Sequence, residues 1–457
     1  MEWPGYVQDL PQGAHWLCWP ARLAAMVSLY HGRNAHSVGA VSWYRRCTEC
    51  TDCKGCKMGN VLRSRLTLLM VGCCVALGLG VLFSGLPVAL PAQSTSARLL
   101  HTSIYEPGEA TYYLIDEQRD TAANGAFSGV DHRQLDTRIW YPMVEGRAIA
   151  PGRHPLLLFS HGFFSGKGDG AYLGRFLARQ GYIVAAVDFP LTQVGAPGGA
   201  TASDVMNQPG DISFVIDRLL AWNRQSDSLF YQRIDDARIA ALGVSLGGLT
   251  SALLMYHPEL RDDRISFGVA VAAPLASLEL GWLRRAKAPL MVIASDQDAL
   301  VDYRRHTARV VDGLPGATLV TLNDASHTGF SGFSRYLRWL PDPDLLACAR
   351  VRSRLAQDSS LARLLLDVPA EGQLRVSSSL STVCESRSDE VMNPLRQQWI
   401  TSLAVYNFVQ QQFADSGAEI AFAARYLHEI MPAEFADSVT VDSRYSSLAG
   451  VSRRDYR

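Results

Sequence analysis

The chain has almost no net charge, with 43 Lys and Arg against 44 Asp and Glu, so no electrostatic footprint asks for nucleic acid as a partner. It has no repeat with a period of 20–50 residues, which argues against a solenoid. Its 37 Gly and 21 Pro among 457 residues are ordinary levels, which excludes collagen-like and low-complexity chains. Cysteine is scarce after residue 74, where only Cys348 and Cys384 occur. Such sparing use suits an exported protein holding one disulfide, Cys348–Cys384, and equally suits two buried free thiols. The other seven cysteines, Cys18, Cys47, Cys50, Cys53, Cys56, Cys73 and Cys74, crowd the start of the chain.

That start has its own character. Residues 66–86 carry no charge and are rich in Leu, Val and Gly; Arg63 and Arg65 precede them, and small residues around Ala89 and Ala92 follow. A basic stretch, an apolar core and a small-residue exit describe a secretory signal peptide. The simplest expectation is translation from Met58, with 58–92 the signal and 1–57 an upstream extension of doubtful reality. Two alternatives stand beside it: the apolar run retained as a membrane anchor, and lipidation at Cys73. Cys47-x-x-Cys50-x-x-Cys53-x-x-Cys56 is close to an iron–sulfur run, but its last gap is two residues and Lys57 follows in place of Pro. No metal site is expected there.

Residues 93–104 read as a polar linker. Strand patterns follow at Ala110–Ile115 and Gln134–Tyr141, and then apolar runs alternate with helical stretches. Strands are expected at Pro155–Ser160, Tyr182–Asp188, Arg238–Val244, Phe267–Ala272, Leu290–Ala294 and Thr318–Leu322, with helices near 171–180, 208–223, 246–256 and 303–313. Such alternation means βαβ units and a mostly parallel sheet flanked by helices. This core is expected over 105–332. The Arg-, Leu- and Ser-rich stretch 333–390 has no strand character and reads as a helical cap insertion. Asn393-Pro394 then opens a helix, whose apolar face would carry Leu395, Trp399, Leu403, Tyr406, Val409 and Phe413. Core helices would run over 391–432, with 433–457 a polar tail.

The strongest chemical signal is Gly243-Val244-Ser245-Leu246-Gly247-Gly248, directly after the apolar run Ile239–Leu242 and before a helix. This is a nucleophile elbow: the strand-to-helix turn exposes the serine hydroxyl and aims the Leu246 N–H at the same spot. A serine hydroxyl needs a base, and the base an orienting acid, in the chain order Ser, Asp, His. The next apolar run, Pro289–Ala294, leads into Asp296, Asp298 and Asp302, of which Asp298 is the expected acid. The run Ala317–Leu322 leads to His327, the expected base; His306 and His428, on helical stretches, read as surface or satisfied core residues. A second oxyanion donor is expected at the Phe163 N–H, after Leu156–Ser160, with His161 structural. Gly168-x-Gly170-x-x-x-Gly174, with Asp188 beyond, imitates a dinucleotide fingerprint, but its third glycine is displaced; it reads as a loop near the site mouth.

Arg138–Pro142, Phe159–Gly162, Gly181–Asp188, Gly243–Gly248 and the Asp298 and His327 loops together resemble an α/β hydrolase of the dienelactone-hydrolase-like and platelet-activating-factor-acetylhydrolase-like group. Dienelactone hydrolases use a cysteine nucleophile, and Ser245 in its place argues for an ester hydrolase. The resemblance implies the α/β-hydrolase fold and a serine carboxylic-ester hydrolase acting on short or medium acyl chains or lipid esters with no cofactor, and the signal-peptide reading makes it an exported one. A polyester or peptide substrate is the alternative, and a non-catalytic binding protein on the same fold is the alternative of another class. Expected partners are small-molecule or lipid esters, with membrane association through residues 66–86.

Overall fold

The computed structural model describes residues 85–443 together with Met70 and Gly72, leaving out 147, 279–280, 283–287, 309–310, 312–313, 315, 356–357, 359, 362–382 and 385–389. The expectations for residues 1–57, the four-cysteine run and most of 66–86 lie outside the described residues.

A ten-stranded sheet forms the centre. β1 (Glu106–Asp116), β2 (Arg133–Val144), β3 (Ala148–Ile149), β4 (His154–Ser160) and β5 (Ile183–Val187) come first along the chain. β6 (Ile234–Val244), β7 (Ile265–Val271), β8 (Leu290–Ser295), β9 (Thr318–Leu322) and β10 (Val439–Ser443) follow. Their order in space is β1-β2-β5-β4-β6-β7-β8-β9-β10, with β3 paired to β2. The strands from β5 across to β9 run parallel, whereas β1 with β2, β2 with β5 and β10 with β9 are antiparallel. All the residues of β5, β8 and β9 are buried, because helices cover both faces of a parallel sheet. β1 alternates buried and exposed positions near its centre and end, as an edge strand with a wet face should.

The two faces separate along each strand with a period of two. On β4, Leu157 and Phe159 join Trp140, Val184, Leu242 and Ile293 on one side. There they meet α2 (Ala171–Arg179) through Leu173, Phe176 and Leu177. Leu156 and Leu158 face the other way, against Ile212, Val215, Ile216 and Leu219 of α3 (Gln208–Trp222). α4 (Leu246–Tyr256) fills a third cluster with Leu249, Ala252 and Leu253. Each of the Leu, Ile, Val and Phe side chains, fully buried, contributes about 1.5–3 kcal/mol. Arg133 is buried beneath the β2 start, where it is forked onto Asp204 at 2.9 and 3.2 Å and onto Asp211 at 2.7 Å through two nitrogens. Burial alone would lower its pKa, but those two carboxylates raise it.

Several expectations meet a different arrangement. Within the stretch read as a linker, Thr95–His101 forms helix α1, capped by the Ser94 hydroxyl. The Glu434 carboxylate accepts the Thr95 and Ser96 N–H groups at 2.7 Å each, and the Ser96 hydroxyl meets that of Tyr426. Within the stretch read as a polar tail, Val439–Ser443 is an edge strand: Val439-Thr440-Val441 alternates, and Val439 is buried. Of the helix expected over 303–313, Tyr303 and Val311 are helical and Arg304–Ala308 between them winds as a π turn. In the 333–390 stretch, α5 spans Asp344–Leu355, and much of the remainder lies outside the described residues. α6 (Pro394–Phe413) is capped by Asn393, whose side chain accepts the Leu395 N–H. Leu403, Val409 and Phe413 of its expected face are buried, but Ile400, Ala404 and Phe408 are buried too, while Leu395, Trp399 and Tyr406 are only half-buried. The covered arc is wider than the pattern implied because α7 (Gly417–Arg425) and the turn Thr328–Phe330 pack on α6 as well as the sheet.

Candidate active site

Ser245 sits between β6 and α4 with φ 56° and ψ −120°, a backbone state rare for a residue with a side chain. The turn holds because its neighbours have no side chains to clash. A Cβ on Gly243 would lie 2.0 Å from the Gly247 carbonyl oxygen, and one on Gly247 would lie 2.0 Å from the Ser160 carbonyl oxygen. The hydroxyl is thereby pushed out at the carboxyl end of the sheet, partly exposed.

His327 Nε2 stands 3.0 Å from Ser245 Oγ, and its Nδ1 stands 2.7 Å from Asp298 Oδ2. Asp298 is buried, and its other oxygen accepts the N–H groups of Leu300 at 2.9 Å and Val301 at 2.7 Å. The carboxylate is therefore held by its own loop before it meets the imidazole. Of the three acids in this loop, only Asp298 reaches His327. Asp296 accepts the Asp324 N–H and Asp302 the Arg305 N–H. Burial opposes charge on the imidazole, but the charge and hydrogen bond of Asp298, with smaller contributions from Asp344 and Asp169, raise the His327 pKa above its ordinary value.

Asp344 is a residue that sequence reasoning missed. It opens α5 in the insertion, yet its buried carboxylate accepts N–H groups from both loops of the site: Thr328 at 2.6 Å, His327 at 2.8 Å and Ala299 at 3.3 Å. Burial, then the nearby Asp298 charge, raise its pKa. It stands in the stretch 333–390 read as a helical cap, where no motif marked it.

The loop after β4 comes within reach of the serine: a Cβ on Gly162 would lie 3.2 Å from that of Ser245. Next to it, Phe163 and Leu246 carry N–H groups that meet no acceptor among the described residues. Phe164 is in a left-handed conformation (φ 62°), anchored by its N–H to the Thr192 carbonyl. His161 is fully buried, its Nδ1 2.7 Å from the Gly162 carbonyl and its Nε2 accepting the Phe189 N–H. A carbonyl can only accept, so Nδ1 carries the proton and the ring is neutral; burial lowers its pKa accordingly. His161 thus shapes the loop. His306 and His428 lie apart from the serine, His306 buried in the π turn and His428 on the turn after α7.

The glycine-rich imitation of a dinucleotide site is occupied by its own side chains. Asp188 accepts the Lys167 N–H and pairs with the Lys167 ammonium, which leaves it engaged where a ribose would need it.

Cys348 and Cys384 are joined as a disulfide with Cα atoms 5.4 Å apart. The bridge packs with Ala299, Leu300 and Val301 in one apolar cluster, and the Cys384 N–H donates to the Ala299 carbonyl at 2.6 Å. The bridge closes the insertion on itself, and the insertion is fastened to the Asp298 loop by that packing and hydrogen bond and to both loops by Asp344.

Residues 125–335 match a family model described as "PETase: PET hydrolase-like". A cutinase of Thermobifida alba is 25% identical over 177 residues, covering 37% of this chain and 52% of that protein. A bis(hydroxyethyl) terephthalate hydrolase of Streptomyces coelicolor is 24% identical over 192 residues, covering 41% of this chain and 54% of that one. The chain thus spans about half the length of each of these relatives. Among solved structures, a ferulic acid esterase from Streptomyces cinnamoneus aligns at TM-score 0.43 with 20% identity, covering 63% of this chain and 98% of that one. The elbow and the sheet order give the chain an α/β-hydrolase fold, and its residues 125–335 are similar to the PET hydrolase-like family of carboxylic-ester hydrolases.

Proposed function

We propose that the chain is an exported serine hydrolase that cleaves carboxylic esters through an acyl-enzyme, with Ser245 as nucleophile, His327 as base and Asp298 as the orienting acid. The observation that carries this reading is the unbroken relay from Ser245 Oγ through both nitrogens of His327 to Asp298 Oδ2, at 3.0 and 2.7 Å. With Nδ1 donating to the carboxylate, Nε2 is free to take the serine proton as Oγ attacks the ester carbonyl. The imidazolium that forms is stabilised by the Asp298 charge. The N–H groups of Phe163 and Leu246 receive the tetrahedral oxyanion. His327 then hands its proton to the leaving alcohol and activates water, which releases the acid and restores the serine. The reaction as written needs no metal or organic cofactor.

The substrate class is an ester with a short or medium acyl chain, lipid esters included. The names of the relatives, a cutinase and a terephthalate-ester hydrolase, favour polyester or aromatic-ester substrates as the second reading. Labelling with a fluorophosphonate probe tests the site: wild-type protein is modified at Ser245, and Ser245→Ala is not. Ser245→Ala is also expected to lower turnover of a nitrophenyl ester by about 10⁶-fold. Turnover that survives the substitution sinks the assignment, and an unlabelled wild-type protein would place the chain among binding proteins on a hydrolase fold.

A further inference from the structure

Immediately after the His327 turn, the chain makes a short 3₁₀ helix, Gly332–Tyr336, and runs on to Pro341. In 3₁₀ geometry residues three apart eclipse one another. Ser334 and Leu337 accordingly point inward and are buried, while Phe333, Tyr336 and Trp339 line up outward at 59%, 62% and 57% exposure. The Phe333 and Tyr336 rings touch, with centroids 5.9 Å apart, the Arg335 guanidinium lies over the Tyr336 ring, and the Trp339 indole donates to the Tyr336 carbonyl. The next turn, at the start of α5, adds exposed Leu345 and Leu346. Solvent-facing aromatics of this size, set in line, are not what a water-facing turn requires.

We propose that this strip is a bilayer-docking surface, seating Phe333, Tyr336 and Trp339 at the headgroup boundary of a lipid membrane. Two observations select a membrane over other occupants. The first is charge and composition: from 331 to 341 the chain holds Arg335 and Arg338 and no acidic residue. Trp and Tyr with snorkelling arginines are what the water–lipid interface of an anionic bilayer accepts. The second is continuity with the uncharged run 66–86. Gly85, at the end of that run, lies against the strip backbone, since a Cβ on it would stand 2.4 Å from the Arg338 carbonyl oxygen, and the next residue, Leu86, is exposed. The inference concerns binding and stands apart from the chemistry proposed for Ser245.

The test is flotation of the full chain with vesicles of phosphatidylcholine and phosphatidylglycerol, together with quenching of tryptophan fluorescence by brominated phospholipid. Wild-type protein is expected to float with the vesicles. Trp339→Phe should remove a measurable share of the quenching, and the triple substitution Phe333→Ser, Tyr336→Ser, Trp339→Ser should weaken partitioning at least tenfold with an unchanged melting temperature. Equal partitioning of the triple variant and wild type would overturn the proposal, because residues 66–86 would then suffice alone. It is equally overturned if bound protein shows no quenching traceable to Trp339, or if the strip retains the chain on a polyester film and not on vesicles. Self-association through the strip, read by sedimentation velocity as a dimer that the triple variant abolishes, would assign it to a second copy instead.

Discussion

Replacing Asp298 by Asn exchanges one oxygen for an amide nitrogen, and the surrounding hydrogen bonds decide which one. Oδ1 accepts two backbone N–H groups, from Leu300 and Val301, whereas Oδ2 meets only His327. The amide oxygen therefore takes the Oδ1 position, since an NH₂ there would face two donors. The NH₂ then points at His327 Nδ1, which must become an acceptor, and the ring proton moves to Nε2. In that tautomer the imidazole donates to Ser245 and cannot take its proton. The expected loss in kcat is about 10⁴-fold, as for other triads forced into the wrong tautomer, equivalent to roughly 5.5 kcal/mol of barrier. Stability should change by less than about 1 kcal/mol, because both backbone bonds survive. Stopped-flow or steady-state turnover of a nitrophenyl ester, paired with thermal melts, separates the two quantities. Asp296→Asn is the control and should stay within about twofold of wild type, the span of an ordinary surface change. A fall of less than tenfold in Asp298→Asn, with an intact melt, would refute the tautomer argument.

Asp344→Asn should move the acidic limb of the kcat/KM profile. Activity needs neutral His327 and appears as pH rises through its raised pKa; removing a contributing negative charge lowers that pKa, so the limb shifts to lower pH. A melting temperature that falls while the limb stays in place would reduce Asp344 to a purely structural brace. Arg133→Met removes the buried cation shared by Asp204 and Asp211, leaving them only Asn207 and Arg119 as side-chain partners, and should cost about 3 kcal/mol in urea denaturation; a loss under about 1 kcal/mol would show those partners to suffice. Reducing Cys348–Cys384, or replacing both by Ser, reopens a loop with a sequence separation of 36; the chain-entropy estimate is about 4 kcal/mol. Because that bridge packs on the Asp298 loop, kcat should fall along with thermal stability, and a reduced protein with unaltered kcat would show the loop to be held without it.

What the amino-acid order revealed and what it hid follow one physical line. The parallel strands were legible because both faces are buried, so each appears as a short unbroken apolar run; Leu290–Ser295 and Thr318–Leu322 are such cases. The elbow was legible because its glycines answer backbone clashes a few residues away. α1 was not, since its seven residues carry little helical pattern of their own and owe their order to Glu434 and Tyr426, more than 300 residues later. β10 was hidden because five residues in a polar stretch become a strand only when β9 offers an edge. Asp344 was hidden for the same reason: a carboxylate in a proline-rich turn gains its role only once two distant loops turn their N–H groups toward it.

The attachment of α1 bears on how the chain is made. Ser96 and Glu434 stand 338 positions apart, and at about 5–20 residues per second a ribosome needs roughly 20–70 s to travel between them. Throughout that interval α1 lacks the carboxylate that takes its first N–H groups, and β9 has an open edge until Val439–Ser443 emerges. The Ser245, Asp298 and His327 loops are synthesised long before the fold can close around them. Glu434 and α1 act together as a latch, so a chain stalled or clipped before Glu434 should be protease-sensitive at α1 and at the β9 edge at once.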